Sequence, residues 1–227
     1  MSKNLCIIPA RGGSKRIPRK NIKEFLGKPI IAYSIELALK SNLFDEVMVS
    51  TDDAEIAEIS KQYGAVVPFF RSRENSDDQA TTLDVIKEVI QFYADKNIKF
   101  DACCCIYPTA PLAKTSDLQN GLKKLLEEGK DSVFPVTPFS FPVWRGVRLR
   151  DNIPVPAWPE LVNSRSQDLE AIYHDAGQWY WLRPDKLVDK IWTSNSACIV
   201  LEPDRVQDID TESDWKLAEM KYRLIHE

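Results

Sequence analysis

The sequence predicts an α/β fold, a mainly parallel sheet covered by helices on both faces, with a small arm inserted in its second half. Three observations carry this. Short apolar, strand-like runs alternate with amphipathic helical runs as far as Thr137. The 227 residues suit one large domain with a real core. A stretch rich in Pro and aromatics, 138–170, then breaks the alternation.

The elements follow in chain order. "LCIIP" (Leu5 to Pro9) reads as a buried strand, and "PIIAYSIELALKS" carries Ile30, Tyr33, Leu37 and Ile31, Ile35, Ala38 at helical spacing. "EVMVST" (Glu46 to Thr51) is a second strand. "DAEIAEISKQYG" is a helix with acidic residues early and Gly64 as its stop. "AVVPFF" reads as a third strand, shortened by Pro68. The helix "TTLDVIKEVIQFYADK" gathers Leu83, Ile86, Ile90 and Tyr93 on one face. "FDACCCIY" is a fourth strand, "TSDLQNGLKKLLEEG" a helix, and "DSVFPVT" a fifth strand. This order requires right-handed crossovers and a sheet buried on both sides.

Residues 138–170 contain no long helix and predict a hairpin or arm, either a subunit contact or a loop packed on its own domain. "AIYHDAGQWYWL" resumes a strand pattern, "ACIVLE" predicts a short buried strand, and "DIDTESDWKLAEMKYRLI" a final helix with Trp215, Ala218, Tyr222 and Ile225 on one face. Thr211 and Asp214 have capping-box spacing. The organisation expected is a single domain over 1–227 with 138–170 as the inserted arm.

Composition narrows the function. A net charge of -4 and a pI near 5.4 argue against nucleic-acid binding. No apolar run approaches the ~18 residues of a membrane span. "MSKNLCII" enters a strand without the apolar core of a secretory signal, so a cytoplasmic location is expected. Of five cysteines, Cys103, Cys104 and Cys105 are consecutive and alternate between strand faces, which prevents them from converging on a metal. With Cys6 and Cys198 they read as small buried apolar residues in a reducing compartment.

Against this acidic background, "IIPARGGSKRIPRKN" places Arg11, Lys15, Arg16, Arg19 and Lys20 directly after the first strand. In open α/β sheets that is where ligands bind. Gly12 and Gly13 would let backbone N–H groups approach phosphate oxygens, and the cations would neutralise a triphosphate. The loop is neither a Walker A loop nor GxGxxG. Far along the chain, "QDIDTES" sets Asp208 and Asp210 two apart, so that in an extended segment both carboxylates share one side. The residues alone leave two readings open: a Mg²⁺ site completed by phosphate oxygens, or N-capping of the last helix by Asp210 or Thr211. "STDD" (Ser50 to Asp53) is a rival acidic site, where Asp52 or Asp53 reads as the cap of the next helix.

"IPARGGSKRIPRKNI" resembles the N-terminal signature of CMP-sugar synthetases that act on nonulosonic acids. "VSTDDAEIAEISKQYGA", "YPTAPL" and "DIDTESDWKLAE" are similar to further blocks of that family. The resemblance implies a Rossmann-like fold of the nucleotide-diphospho-sugar transferase type and a CTP-dependent cytidylyltransferase. The anomeric hydroxyl of an acid sugar would attack the α-phosphate of CTP, with pyrophosphate as the leaving group. By matching positions it implies that Ala10, Arg11, Gly13 and Ser14 hold the nucleotide and its phosphates. Lys20 and Asn21 would meet the triphosphate or cytosine end. Arg71, Ser76, Asp77 and Asp78 would lie at the cytidine and nearby groups, although the Arg-to-Ser-Asp spacing is one residue shorter than in the sialic-acid enzymes. Asp208 and Asp210 would bind Mg²⁺, and Arg11, Lys20 and Asp210 would carry catalysis. The family also implies a homodimer joined through the arm.

The acceptor is read from the second half. "NSRSQDLEAIYHDAGQWYWL" resembles the corresponding segment of the pseudaminic-acid branch, and Tyr107 and Trp144 stand where sialic-acid enzymes tend to have Gln and Lys. Pseudaminic acid, a bis-acetamido 6-deoxy sugar, suits an aromatic-lined pocket with fewer donors. Tyr107, Arg165, Gln167, His174 and Asp175 are the expected sugar contacts, Arg165 toward the carboxylate. His174 on its own reads as a structural histidine, and the adjacent Asp175 and the motif bring a pocket role level with that reading. The rivals are N-acetylneuraminate, legionaminate or 3-deoxy-manno-octulosonate as acceptor, a different nucleotide base, and a non-catalytic nucleotide-binding protein on the same fold.

Overall fold

A computed structural model describes residues 2–226. Its strands are β1 (Asn4–Pro9), β2 (Glu24–Phe25), β3 (Lys28–Pro29), β4 (Glu46–Ser50), β5 (Ala102–Ile106), β6 (Ser132–Pro138), β7 (Val147–Arg150), β8 (Ile153–Pro156), β9 (Tyr173–Asp175), β10 (Trp179–Leu182) and β11 (Ser196–Val200). Its helices are α1 (Ile30–Ser41), α2 (Ala54–Gln62), α3 (Thr82–Asp95), α4 (Thr115–Glu127) and α5 (Glu212–His226). The main sheet runs β11-β6-β10-β5-β1-β4, with β9 paired to β6. β4, β1 and β5 are parallel, as are β6 and β11, while β10 lies antiparallel between β5 and β6.

Both faces are covered, as the alternating pattern requires. On one face Cys6, Ile8, Val49, Cys104, Trp179 and Trp181 pack against Ile31 and Ile35 of α1, Ile56 of α2 and Leu118 and Leu125 of α4. On the other, Leu5, Ile7, Cys103, Cys105 and Tyr180 pack against Ile86, Val89 and Tyr93 of α3. The cysteine triplet therefore splits between two cores, and burial pushes the Cys103 thiol up to about 12. Gly121 lets α4 sit on the two tryptophans, because a Cβ there would come within 2.8 Å of both rings.

Two expectations change. The third strand does not form: 65–70 meets β4 and the residue after it only through single bridges, Met48 to Val66 and Thr51 to Phe70. Pro68 has no N–H to give the ladder between them. β11 forms, but as a sheet edge, so its expected burial is lost along with that of Cys198, which is exposed. The other four cysteines are buried.

The arm is a self-supporting excursion. β7 and β8 pair as a hairpin turned by Asp151 and Asn152, both at positive φ. Trp144 meets Trp158 edge-on at 5.2 Å and donates its Nε1–H to the Glu170 carbonyl. A third core joins distant segments: Ile17 of the basic loop, Phe25, Ile30, Ile209, and Trp215 and Ala218 of α5. It brings the loop after β1 against the segment that carries the two aspartates.

Candidate active site

A cleft of about 690 Å³ opens beyond the carboxyl ends of β1 and β5, within the usual size of a small-molecule site. One wall is the basic loop, with Arg11, Ser14, Lys15, Arg16 and Lys20. The opposite wall is the segment from Asn75 to Thr82. Arg71 and Tyr107 line its inner end, and Asp208 and Asp210 close the third side.

The loop is held in shape by Ile17. Ile17 is fully buried in the third core, so the flanking cations are displayed from a fixed backbone. Asn21, also buried, donates its side-chain amide to the Arg11 carbonyl at 3.0 Å and closes the loop on itself. Gly12 serves a purpose other than phosphate approach: its N–H donates to Asp52 at 2.9 Å, and a Cβ there would sit 2.7 Å from Asp53 Oδ2. Gly13 has open space around it. Asp53 caps α2 by accepting from the Ile56 N–H. Arg19 grips Asp53 at 2.5 and 3.0 Å and reaches Glu55, so this cation belongs to the α2 cap and not to the cleft. The Arg19 guanidinium holds the Asp53 carboxyl down at about 2.

The capping question at α5 has a clear answer. The Asp214 N–H donates to Thr211 Oγ1, and Asp214 accepts from the Thr211 N–H at 2.8 Å and the Asp210 N–H at 3.2 Å. Thr211 is thus the cap, and the Asp210 side chain is left for the cleft. Ile209 points into the third core, which turns both flanking carboxylates away from it, as an extended segment requires. Lys20 donates to the Ile209 carbonyl at 2.7 Å and lies 3.5 Å from Asp210, and Arg16 pairs with Asp210 at 2.7 Å. Loss of water at the cleft wall, and then the nearby Asp210 charge, push the Asp208 carboxyl up. No group of three or more His, Cys, Asp or Glu side chains converges among the described residues. Two hard carboxylates in a phosphate-sized cleft fit Mg²⁺, which takes its remaining ligands from phosphate and water, and do not fit zinc.

Arg71 lies at the inner end, buried, with Nε on Ser50 Oγ at 2.9 Å and Nη2 on the Ser50 carbonyl. It forms no ion pair among the described residues, and burial lowers its pKa. A buried guanidinium satisfied only by neutral oxygens is a ready site for a polar or anionic ligand group.

A family model described as cytidylyltransferase matches residues 5–153. The chain belongs to the cytidylyltransferase family. This cytidylyltransferase is 45% identical to the pseudaminic acid cytidylyltransferase of Campylobacter jejuni subsp. jejuni serotype O:2, across 99% of this chain and 98% of that one. It is 32% identical to the CMP-N,N'-diacetyllegionaminic acid synthase of Legionella pneumophila, across 98% and 97%. The fold matches a solved CMP:2-keto-3-deoxy-manno-octonic acid synthetase complexed with CTP, with a TM-score of 0.70 at 18% identity, covering 99% of both chains.

Within the cytidylyltransferase cleft the structure gathers Arg11, Ser14, Lys20, Asn21, Arg71 and Asp77, together with Tyr107, Asp208 and Asp210. Three expected nucleotide residues fall outside its lining. Ala10 is buried and gives its N–H to the Ser50 carbonyl, Gly13 stands off the cleft, and Ser76 Oγ donates to the Ser72 carbonyl. On the acceptor side, Arg165 and Gln167 are exposed on the arm, away from the cleft of their own chain. The His174 ring packs on Phe139 and bonds the Asp175 carbonyl, also outside the cleft. Asp175 connects indirectly: it accepts from Tyr180 Oη at 2.5 Å, and the Tyr180 ring lies against Tyr107, whose hydroxyl meets Thr82 at 2.9 Å.

Asn75, Thr82 and Thr109 also line the cleft and were not singled out from sequence. Asp78, expected with Ser76 and Asp77 near the cytidine, lines the cleft as well.

Proposed function

We propose that this cytidylyltransferase joins CTP to pseudaminic acid, giving the CMP-sugar and pyrophosphate. The observation that carries the reading is the cleft itself, in which Arg11, Lys15 and Lys20 face Asp208 and Asp210 at the carboxyl end of β1. The relatives' names supply the sugar: the more similar one acts on pseudaminic acid, the less similar one on a legionaminic acid.

In this reading the anomeric hydroxyl oxygen of the sugar bonds to the α-phosphorus of CTP. The bond from that phosphorus to the bridging oxygen breaks, pyrophosphate carries away the electron pair, and the hydroxyl proton passes to solvent. Arg11 and Lys15 hold phosphate oxygens, and Lys20 holds both the Ile209 backbone and developing phosphate charge. Asp208 and Asp210 are the residues that would hold Mg²⁺, which when bound neutralises the α-phosphate and acidifies a coordinated hydroxyl. Positioning and charge neutralisation are most of what such a transfer needs. Arg71 holds the cytidine end, and Tyr107, ordered by Thr82 and Tyr180, forms the acceptor wall.

The working unit in this reading is a cytoplasmic homodimer. Its support is the arm, where Phe141 is 84% exposed, Leu149 69% and Ile153 64%, an apolar surface that a second copy would cover. Arg165 and Gln167 would then act on the sugar across the dimer, since their own cleft is out of reach.

Pyrophosphate release with CTP and Mg²⁺ tests the acceptor. Pseudaminate is expected to be turned over at least about tenfold better than legionaminate, N-acetylneuraminate or 3-deoxy-manno-octulosonate. Preferred use of another of these acids would refute the sugar assignment and keep the reaction.

A further inference from the structure

The five cations of the basic loop have different partners. Arg19 is committed to the α2 cap, Lys20 to the Ile209 carbonyl and Arg16 to Asp210. The remaining two, Arg11 and Lys15, cross the cleft to one carboxylate on the opposite wall. Arg11 Nη1 donates to Asp78 Oδ1 at 2.9 Å and to the Asp77 carbonyl at 2.8 Å, and Lys15 Nζ donates to Asp78 Oδ2.

Asp78 has no other hydrogen-bond partner among the described residues, and its own segment does not need it. The turn at 77–80 is closed by Asp77, which accepts from the Gln79 and Ala80 N–H groups at 2.8 Å. The α3 capping box is made by Thr81 and Asp84. The Asp78 side chain is half exposed, so its ion pairs are weak enough to be exchanged. A carboxylate that bridges two cations and caps nothing offers them the charge that a phosphate would.

We propose that Asp78 is a placeholder anion. It neutralises Arg11 and Lys15 when no nucleotide is bound, and its displacement by the triphosphate sets the nucleotide affinity of the site. The inference rests on the loop being a triphosphate cradle, but not on any chemistry at the α-phosphorus. A polyanion displaces Asp78 because it brings several charges to the same two cations, whereas a monoanion gains little over the carboxylate it replaces. The placeholder also keeps the loop in its binding geometry, so less ordering remains for the nucleotide to impose.

The test is calorimetric titration of inorganic tripolyphosphate, without metal, into the wild type, Asp78→Asn, Asp78→Ser and the charge-retaining Asp78→Glu. The two neutral variants are expected to bind about two- to fivefold more tightly than the wild type, with Asp78→Glu close to the wild type. The gap should close near ~0.5 M salt. Equal or weaker binding by both neutral variants, or no binding by any of the four proteins, overturns the proposal. Turnover of CTP by the wild type separates this from the reaction itself. Turnover without the affinity gain refutes the placeholder alone, and the gain without turnover supports it while refuting the reaction.

Discussion

Asp53 is the residue whose charge is most firmly assigned. It caps α2 through Ile56 and is gripped by Arg19, which holds its carboxyl at about 2. A depressed folded pKa means that the ionised form stabilises the fold. That contribution is complete above the unfolded value of ~3.9 and fades as pH falls toward about 2. Asp53→Asn keeps a competent cap through its one oxygen but removes the charge and the second acceptor that Arg19 uses. Its melting temperature should lie about 1–3 °C below the wild type at pH 6, with the gap narrowing by pH 2.5. Thermal melts across that range check it, and a gap independent of pH would show that Arg19 contributes nothing through charge. The cap itself was legible in "STDDAEI", an acidic residue just ahead of an amphipathic run. The Arg19 partnership was not, because it spans 34 positions and looks in sequence like one more phosphate cation.

At the scale of elements, the five helices and most strands follow from periodicity, which reports burial directly. The misread pieces are those where backbone hydrogen bonding or position in the sheet decides. Pro68 breaks a ladder that the apolar run "AVVPFF" suggests, and β11 has the composition of a buried strand but lies at an edge. The arm is the element whose partner matters most. If it joins two copies, Leu149→Glu in the exposed hairpin should shift sedimentation from dimer mass to monomer mass. It should also depress use of the sugar more than binding of CTP, since Arg165 and Gln167 would be withdrawn. A wild type that sediments as a monomer at micromolar concentration would remove the dimer from the account.

For the whole molecule, the central fact is that a loop after the first strand and a segment before the last helix share one small core. Ile17 and Ile209 are buried together with Phe25 and Trp215, and Lys20 ties the two backbones through the Ile209 carbonyl. Cations are thereby fixed opposite carboxylates from the far end of the chain, Lys20 and Asp210 standing 190 residues apart. Composition and spacing reveal each half of this site but not their meeting, which depends on sheet order and on the docking of α5. The family resemblance anticipated it, and also anticipated the cleft residues Arg11, Lys20 and Arg71. It put Asp78 near the cytidine, and the acceptor reading put Arg165 at the sugar carboxylate, but the pairing of Asp78 with Arg11 and Lys15 and the distance of Arg165 from its own cleft depend on geometry across a cleft or between copies. No helix among the described residues is long and apolar enough to cross a membrane.

The measurement that most directly tests this account is steady-state pyrophosphate release by Asp210→Asn with CTP, pseudaminate and Mg²⁺, paired with CTP binding to the same protein. The substitution is nearly isosteric and leaves Thr211 and Asp214 to cap α5. The account predicts kcat lower by about 100-fold or more, with CTP affinity changed by only a few-fold. A kcat within about threefold of the wild type would contradict the assignment of Asp208 and Asp210 to the reacting phosphate.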